Sequence, residues 1–478
     1  MFNCSSGRAI SLLSISLLNP IGTAWSLPEP PESVAQELKM SPQIVRVKLS
    51  NLGNVLQVQG SRMKLSLAQE PGLGAVSSDQ WVVDCKRSWI IQPQTGRARK
   101  IPKAGVLIES PAGFLSVNGR RFRSQIVVYP KQLTSPYDFS VRNNSQCLVV
   151  NHLNVERYLE SVVNGEFNSK WAEAAVEAQI IAARSYVLYQ MQTMRKDHGK
   201  VFDVESTQKD QVYLGLDQAD SQAEKLVAKT KGLVLSTDGI AKIQPLKAFY
   251  HSSCGGSTIL PQDVWGKGFF AGFKKRSNCG FCKGAPGYDW DYQLSYAEIQ
   301  KRVLRNWMSI ERSDAGTALG LNRQSVSALN KLMRNPEGWV LMNVQGVPVM
   351  PSLDPSNKLQ PKKNLMSAFV STAQAEQAPV PLRMKDFIFE FMNPDQGAQR
   401  IKIQWDAYQV RNWLDPARLK STWFQLKQIG RSVVFVGRGA GHGVGLCQWG
   451  AKKMGELGYS RDRILSQYYP GSKIKKVW

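Results

Sequence analysis

At Leu153 the hydrophobic period of the chain changes from two to between three and four, and it stays there to Tyr189. Two amphipathic helices meeting at a corner follow from that change. Asn154 can cap the first, with Leu153 before it and Tyr158 at the stapling position. Val155, Tyr158, Leu159, Val162 and Val163 then share one helical face. Asn164-Gly165 predicts the end of that helix. Ser169 can cap the next, with Glu173 in its first turn, where the helix dipole favours an acid. Ala174, Ala178, Ile181, Ala182, Ser185 and Tyr189 recur at helical spacing. Glu166 sits in the corner, where a carboxylate can point out of the fold into a groove. The plainer reading is an acid made favourable by a helix N-terminus.

Upstream, from Pro42, the text is a series of short β-rich runs (IVRVKL, NVLQVQG, QWVVD, GVLIES, QIVVYP) separated by Gly, Asn, Ser and Pro. That is the pattern of a mostly antiparallel region. Downstream, AFYHSSCGGSTILPQDVWG reads as a strand running into a glycine-rich loop, and 295–308 reads as helical. The stretch 310–382, with SLDPSNKLQPKK and STAQAEQAPVP, reads as an insertion or flexible excursion. Strands resume at 383–436 and lead into GRGAGHGVGLCQWGA. The expected class is α+β. The expected divisions are a signal peptide at 1–24, a linker at 25–41, a β-rich part at 42–150, a core at 151–309, the excursion at 310–382 and a closing part of the core at 383–478.

The formal charge is +24, from 61 Lys+Arg against 37 Asp+Glu. Such an excess asks for an anionic partner: nucleic acid, a lipid surface or an acidic polymer. No nucleic-acid motif accompanies it, since HxxC with CxxC is not the spacing of a DNA-binding finger, so no nucleic acid is expected. The N-terminus has one cation, Arg8, then the apolar run Ala9–Leu18 and the small residues Gly22-Thr23-Ala24. This predicts export by a cleaved signal. No later run reaches the roughly 18 apolar residues of a membrane helix, so no transmembrane segment is expected after cleavage. Oligomeric state is not legible.

Two stretches, YLESVVNGEFNSKWAEAAVEAQIIAARSY and GHGVGLCQWGA followed by YYPGSK, resemble the SpoIID/LytB family of stage II sporulation protein D type peptidoglycan lytic transglycosylases. The resemblance runs from about residue 42 to the end, with 310–382 unmatched. It implies a catalytic acid/base at Glu166 and an activity-linked arginine at Arg184, expected on the lactyl group of the sugar or on backbone carbonyls. Phe167 replaces the usual Met, and Glu177 stands where many members carry Lys. The implied substrate is the glycan strand, stripped of stem peptides, and the implied place is the periplasm or cell wall. Tyr250, Ser252, His442 and Gln448 are candidate sugar contacts, while Trp449 reads as packing of its loop. A noncatalytic, wall-binding or amidase-regulating role on the same fold is the alternative.

His251 and Cys254 make one HxxC pair, and Cys279 and Cys282 a CxxC pair. Two such pairs are the donor set of a structural zinc site, and some family members bind zinc close to the groove. Disulfides compete in an exported chain. Cys85, Cys147, Cys254, Cys279, Cys282 and Cys447 allow fifteen pairings. A third reading leaves His251 as a substrate contact only.

Overall fold

The computed structural model describes residues 43–68, 76–130, 147–196, 200–237, 243–266, 270, 272–308, 323–349 and 382–478. The expected signal peptide and linker lie outside them. The class is α+β with a β-rich N-terminal part.

The first layer is a nine-stranded sheet. It comprises β1 (Ile44–Lys48), β2 (Val55–Leu67), β3 (Val76–Asp84), β4 (Trp89–Gln92), β5 (Arg97–Lys100), β6 (Val106–Val117), β7 (Arg120–Tyr129), β8 (Leu148–Asn154) and β9 (Val204–Glu205). The order is β5-β4-β3-β2-β6-β7-β8-β1-β9, and only β9 joins in parallel. Alternating residues such as Leu56 with Val58 and Leu115 with Val117 fall on the buried face, as a period of two requires. Cys85 and Cys147 form a disulfide between the ends of β3 and β8.

Helix α1 (Val155–Glu166) starts where β8 stops, and the Asn154 side chain accepts from the Glu156 amide at 2.8 Å. Two expectations about the corner fail. Gly165 does not end the helix but lies inside its last turn. A Cβ there would come within 2.3 Å of the Val212 carbonyl oxygen, so the glycine serves a close backbone approach. Ser169 caps nothing; its hydroxyl donates to Asp220 at 2.7 Å, and the next helix, α2 (Glu173–Met194), starts after Ala172 without a side-chain cap. Helix α2 is buried on nearly every side, which fits its apolar and small residues all round.

Beyond it run α3 (Ser221–Lys229), β10 (Leu233–Ser236), β11 (Tyr250–His251) and α4 (Pro261–Trp265). The chain end returns as β18 (Leu446–Cys447), α8 (Gln448–Glu456), α9 (Arg461–Tyr468) and β19 (Lys473–Lys476). β19 pairs antiparallel with β10, and β18 lies parallel to β11.

Between these halves stands a second core. It holds β12 (Asp289–Ser295), α5 (Tyr296–Met308), α6 (Arg323–Arg334), β13 (Val340–Pro348), β14 (Leu382–Asn393), β15 (Gln399–Asp406), α7 (Ala407–Leu414), β16 (Trp423–Ile429) and β17 (Ser432–Arg438). Phe387, Phe389, Phe391, Phe424 and Phe435 are buried at its centre. Each such ring contributes roughly 1.5–3 kcal/mol. This corrects the expected division. Residues 323–349 fold as a helix and a strand, and 382–438 belong to this second core rather than to the first. The rest of 310–382 lies outside the described residues.

Candidate active site and cysteine cluster

Glu166 is the last residue of α1, and the chain leaves it through Phe167 in extended conformation. Its Oε1 accepts a hydrogen bond from the Val212 amide. Burial pushes its carboxyl up to about 7, against the pull of that amide. Below it Gln211 ties two phenols together. Its amide nitrogen donates to the Tyr250 hydroxyl at 3.0 Å, and its oxygen accepts from the Tyr158 hydroxyl at 3.0 Å. Burial, and then the nearby Glu166 charge, raise the Tyr250 phenol. Tyr250 is therefore a fixed neighbour of the carboxyl. Neither Gln211 nor Val212 carries any sequence signal.

The Gln448 side chain donates to the Glu166 carbonyl at 3.0 Å. It holds the backbone of the corner, a positioning role rather than the expected sugar contact. The next residue, Trp449, was expected to pack its loop. Its ring does lie 5.0 Å from Trp171, which meets Phe167 edge-on at 4.4 Å. It also lines a cleft of about 370 Å³ between α8 and the segment Gly280–Ala285. The Lys452 ammonium stands over both indoles, 4.8 Å from Trp449 and 5.3 Å from Trp171. A more open hollow of about 650 Å³ lies on the N-terminal sheet beside Lys64, Glu109 and His152, among none of the corner residues.

Arg184 is not where a sugar could reach it. It is fully buried, paired with Glu156 at 2.7 Å, and donates to the Leu233 carbonyl at 3.1 Å. The expectation of backbone carbonyls holds, and that of a lactyl contact does not, because α2 is enclosed on the side that carries Arg184. Glu156 also accepts from the Trp478 indole at 3.1 Å, so this pair ties α1, α2 and the chain end. Glu177 likewise pairs with Lys229 at 2.6 Å and Arg461 at 3.1 Å.

His442 lies in a loop whose glycines 439, 441, 443 and 445 all have positive φ. Its Nδ1 accepts from the Val444 amide at 3.0 Å, and its ring centre lies 5.2 Å from Trp265 and 5.5 Å from His251. Burial keeps it neutral. Ser252 is half-buried, and its carbonyl accepts from the Trp449 amide at 3.0 Å.

The sulfurs of Cys254, Cys279, Cys282 and Cys447 lie within 4.8 Å of one another, all buried. Three of these were expected together, with His251 as the fourth. The structure puts Cys447 there instead. Parallel pairing of β11 with β18 sets His251 opposite Cys447, while the His251 Nδ1 is spent on the Val444 carbonyl at 3.0 Å. Four thiolates on a tetrahedral zinc at about 2.3 Å would stand about 3.8 Å apart, so the donor set and its dimensions fit. The Cys254 amide donates to the Cys447 sulfur at 3.3 Å, as thiolate ligands accept. Hydrogen bonds from Cys254 and Cys282 hold the Cys279 thiol far below its ordinary range. Gly450 lets α8 approach, since a Cβ there would meet the Cys279 sulfur at 2.8 Å and the Tyr468 hydroxyl at 2.2 Å.

The model of the stage II sporulation protein (SpoIID) family matches residues 143–236, which contain both corner helices. An uncharacterized protein of Brachyspira hyodysenteriae is 25% identical over 373 residues, 78% of this chain and 77% of that one. The amidase enhancer of Bacillus subtilis is 26% identical over 323 residues, covering 66% of this chain and 40% of the enhancer. Stage II sporulation protein D of the same organism is 26% identical over 173 residues, 34% of this chain and 50% of that protein. The chain thus spans half or less of the length of its two named relatives. With the corner helices matched as a family domain and both named relatives drawn from the same group, residues 143–236 form a SpoIID-family domain, and the likenesses support the SpoIID/LytB family for the chain that carries it.

Proposed function

We propose that this chain is an exported lytic transglycosylase that cleaves peptidoglycan glycan strands, with Glu166 as its acid and base. The observation that carries the reading is a carboxyl raised to about 7 at the helix corner, whose next residue, Phe167, connects through Trp171 to the Trp449 cleft. A general acid works best when its midpoint lies near the working pH. Protonated Glu166 would give its proton to the glycosidic oxygen as the bond to C1 breaks. The C6 hydroxyl of the same muramic acid would then attack C1 and return its proton to Glu166. The sugar itself supplies the nucleophile, so a second enzyme carboxylate is not required, unlike in hydrolysis. The Val212 amide and Gln448 hold the carboxyl and its backbone in place.

Cys254, Cys279, Cys282 and Cys447 are proposed to hold one zinc ion. Four protein ligands leave no position for a reacting water, so its part is to lock the Cys279–Cys282 knuckle to β18 and α8. Export is supported by the Cys85–Cys147 disulfide, a bond typical of oxidising compartments. Among the described residues no helix is long and apolar enough to cross a membrane.

The likeness to an amidase enhancer over 66% of this chain favours a second reading, a noncatalytic regulator that binds the wall. One assay separates them. Purified protein is incubated with glycan strands, with and without stem peptides, and the products are weighed by mass spectrometry. Products ending in 1,6-anhydro-muramic acid are expected. Their absence, with strand binding intact, favours the regulator.

A further inference from the structure

We infer that the cleft between the Cys279–Cys282 knuckle and α8 is a subsite for a sugar bearing a free carboxylate. The inference rests on the glycan reading above and assigns the acid contact that buried Arg184 cannot make. Phe281 forms part of one wall and Trp449 part of the other, with Lys283, Lys452, Lys453 and Glu456 around them. Flat, half-buried rings facing a cleft suit the apolar face of a pyranose, and a few placed polar groups fix its orientation.

The charges are arranged for an anion. Three ammonium groups face one carboxylate, Glu456, which pairs with Lys452 at 3.0 Å and Lys453 at 3.4 Å. Lys283 has no ion-pair partner among the described residues. The Lys452 ammonium is held over the two indoles rather than left free, so less side-chain freedom is lost when an anion arrives. A neutral sugar would gain nothing from this surplus. The absence of an arginine from the lining favours a singly charged carboxylate over a phosphate, for which the guanidinium fork is the better grip.

The cleft is also joined to the chemistry. Trp449 follows Gln448, which holds the Glu166 carbonyl at 3.0 Å. Trp449 reaches Phe167, the residue after Glu166, through Trp171. On the inference, an acidic sugar seated here would belong to the same glycan strand as the bond presented to Glu166.

The test uses the full chain carrying Glu166→Gln, so that binding is read without turnover. Calorimetry compares glycan strands freed of stem peptides with neutral chitooligosaccharides of equal length. Lys283→Gln with Lys452→Gln should weaken the acidic strand about five- to tenfold, the scale of one or two solvent-exposed charge pairs, and change the neutral one by less than about twofold. Should the double variant fold poorly, Lys283→Gln alone, on an exposed side chain, should take roughly half of the effect in free energy. Unchanged preference for the acidic strand, or equal weakening of both ligands, overturns the inference. Product analysis of the wild type separates it from the reading beneath it. Anhydro products with lysine-independent binding remove the subsite alone. Lysine-dependent binding with no anhydro product leaves the subsite and removes the enzyme.

Discussion

Glu166→Gln tests the site through stability as well as through activity. The unfolded carboxyl titrates at its ordinary 4.5, and the folded one is raised by burial to about 7. A carboxyl raised on folding binds its proton more tightly in the native state. Its stabilising contribution is therefore complete below about 4.5 and is lost as pH rises through about 7. At 1.36 kcal/mol for each pH unit, the full penalty for ionising it in the fold is roughly 3 kcal/mol, an upper figure that partial exposure reduces. Glutamine has the same shape, can still accept from the Val212 amide, and does not titrate. All other ionisable groups are shared, so they cancel in the comparison. Urea unfolding of both proteins should therefore show a gap that opens in favour of the variant between about pH 5 and 8, by roughly 1.5–3 kcal/mol. In the same window kcat/KM of the wild type should fall above about pH 7, as the acid form disappears. The variant should lose at least about 100-fold in product formation while keeping strand binding. Two parallel stability curves would refute the buried-acid argument. A variant with near-normal turnover would remove Glu166 from the chemistry altogether.

Arg184→Lys should lower stability by about 2–4 kcal/mol in urea unfolding, because it breaks a buried charge-assisted pair, and should leave the affinity of folded protein for glycan unchanged. Elemental analysis should find one zinc per chain; Cys447→Ser should lose it as readily as Cys279→Ser, while His251→Ala should keep it. Gly165→Ala should destabilise the chain by more than about 1 kcal/mol and lower turnover, since the new methyl displaces the Val212 carbonyl that adjoins the Glu166 contact. Cys85→Ser with Cys147→Ser should cost about 4 kcal/mol on the chain-entropy scale for a separation of 62 residues, with wild type under reducing conditions as the control.

The corner helices were legible because their signals are local. Asn154 caps as its side chain dictates, and the face of α1 is buried as its spacing requires. The errors come from contacts across the chain. Gly165 was read as a stop because a C-terminal glycine and a glycine under close backbone approach look alike in one dimension; Val212, 47 residues on, decides between them. The metal set was read from donors adjacent in sequence. Cys447 lies 193 residues from Cys254 and reaches it only because β18 runs beside β11. Arg184 sits among small and apolar residues of α2, and nothing in the text says that its guanidinium turns to Glu156 and not to solvent.

The second core shows why so long an interruption leaves the site intact. It enters at β12 and leaves at β17, and these strands are antiparallel partners, with Asp289 opposite Arg438. Its first and last residues are therefore neighbours, and the loops on either side can close as though it were a short turn. They do so through main-chain bonds. The Ser253 and Ala440 amides each donate to the other's carbonyl, at 3.1 and 2.8 Å, and the Gly439 amide donates to the Tyr288 carbonyl at 2.7 Å. A unit with its own apolar centre, attached at adjacent ends, adds little closure entropy to the fold that carries it. The cysteine cluster straddles this junction, with Cys254, Cys279 and Cys282 before it and Cys447 after it. A proposed zinc at that point binds together the two halves that the insertion separates. Loss of the metal is thus expected to disturb the Trp449 cleft, built on both halves, together with the Gln448 bond to the Glu166 carbonyl, while the Val212 amide still holds the carboxyl itself.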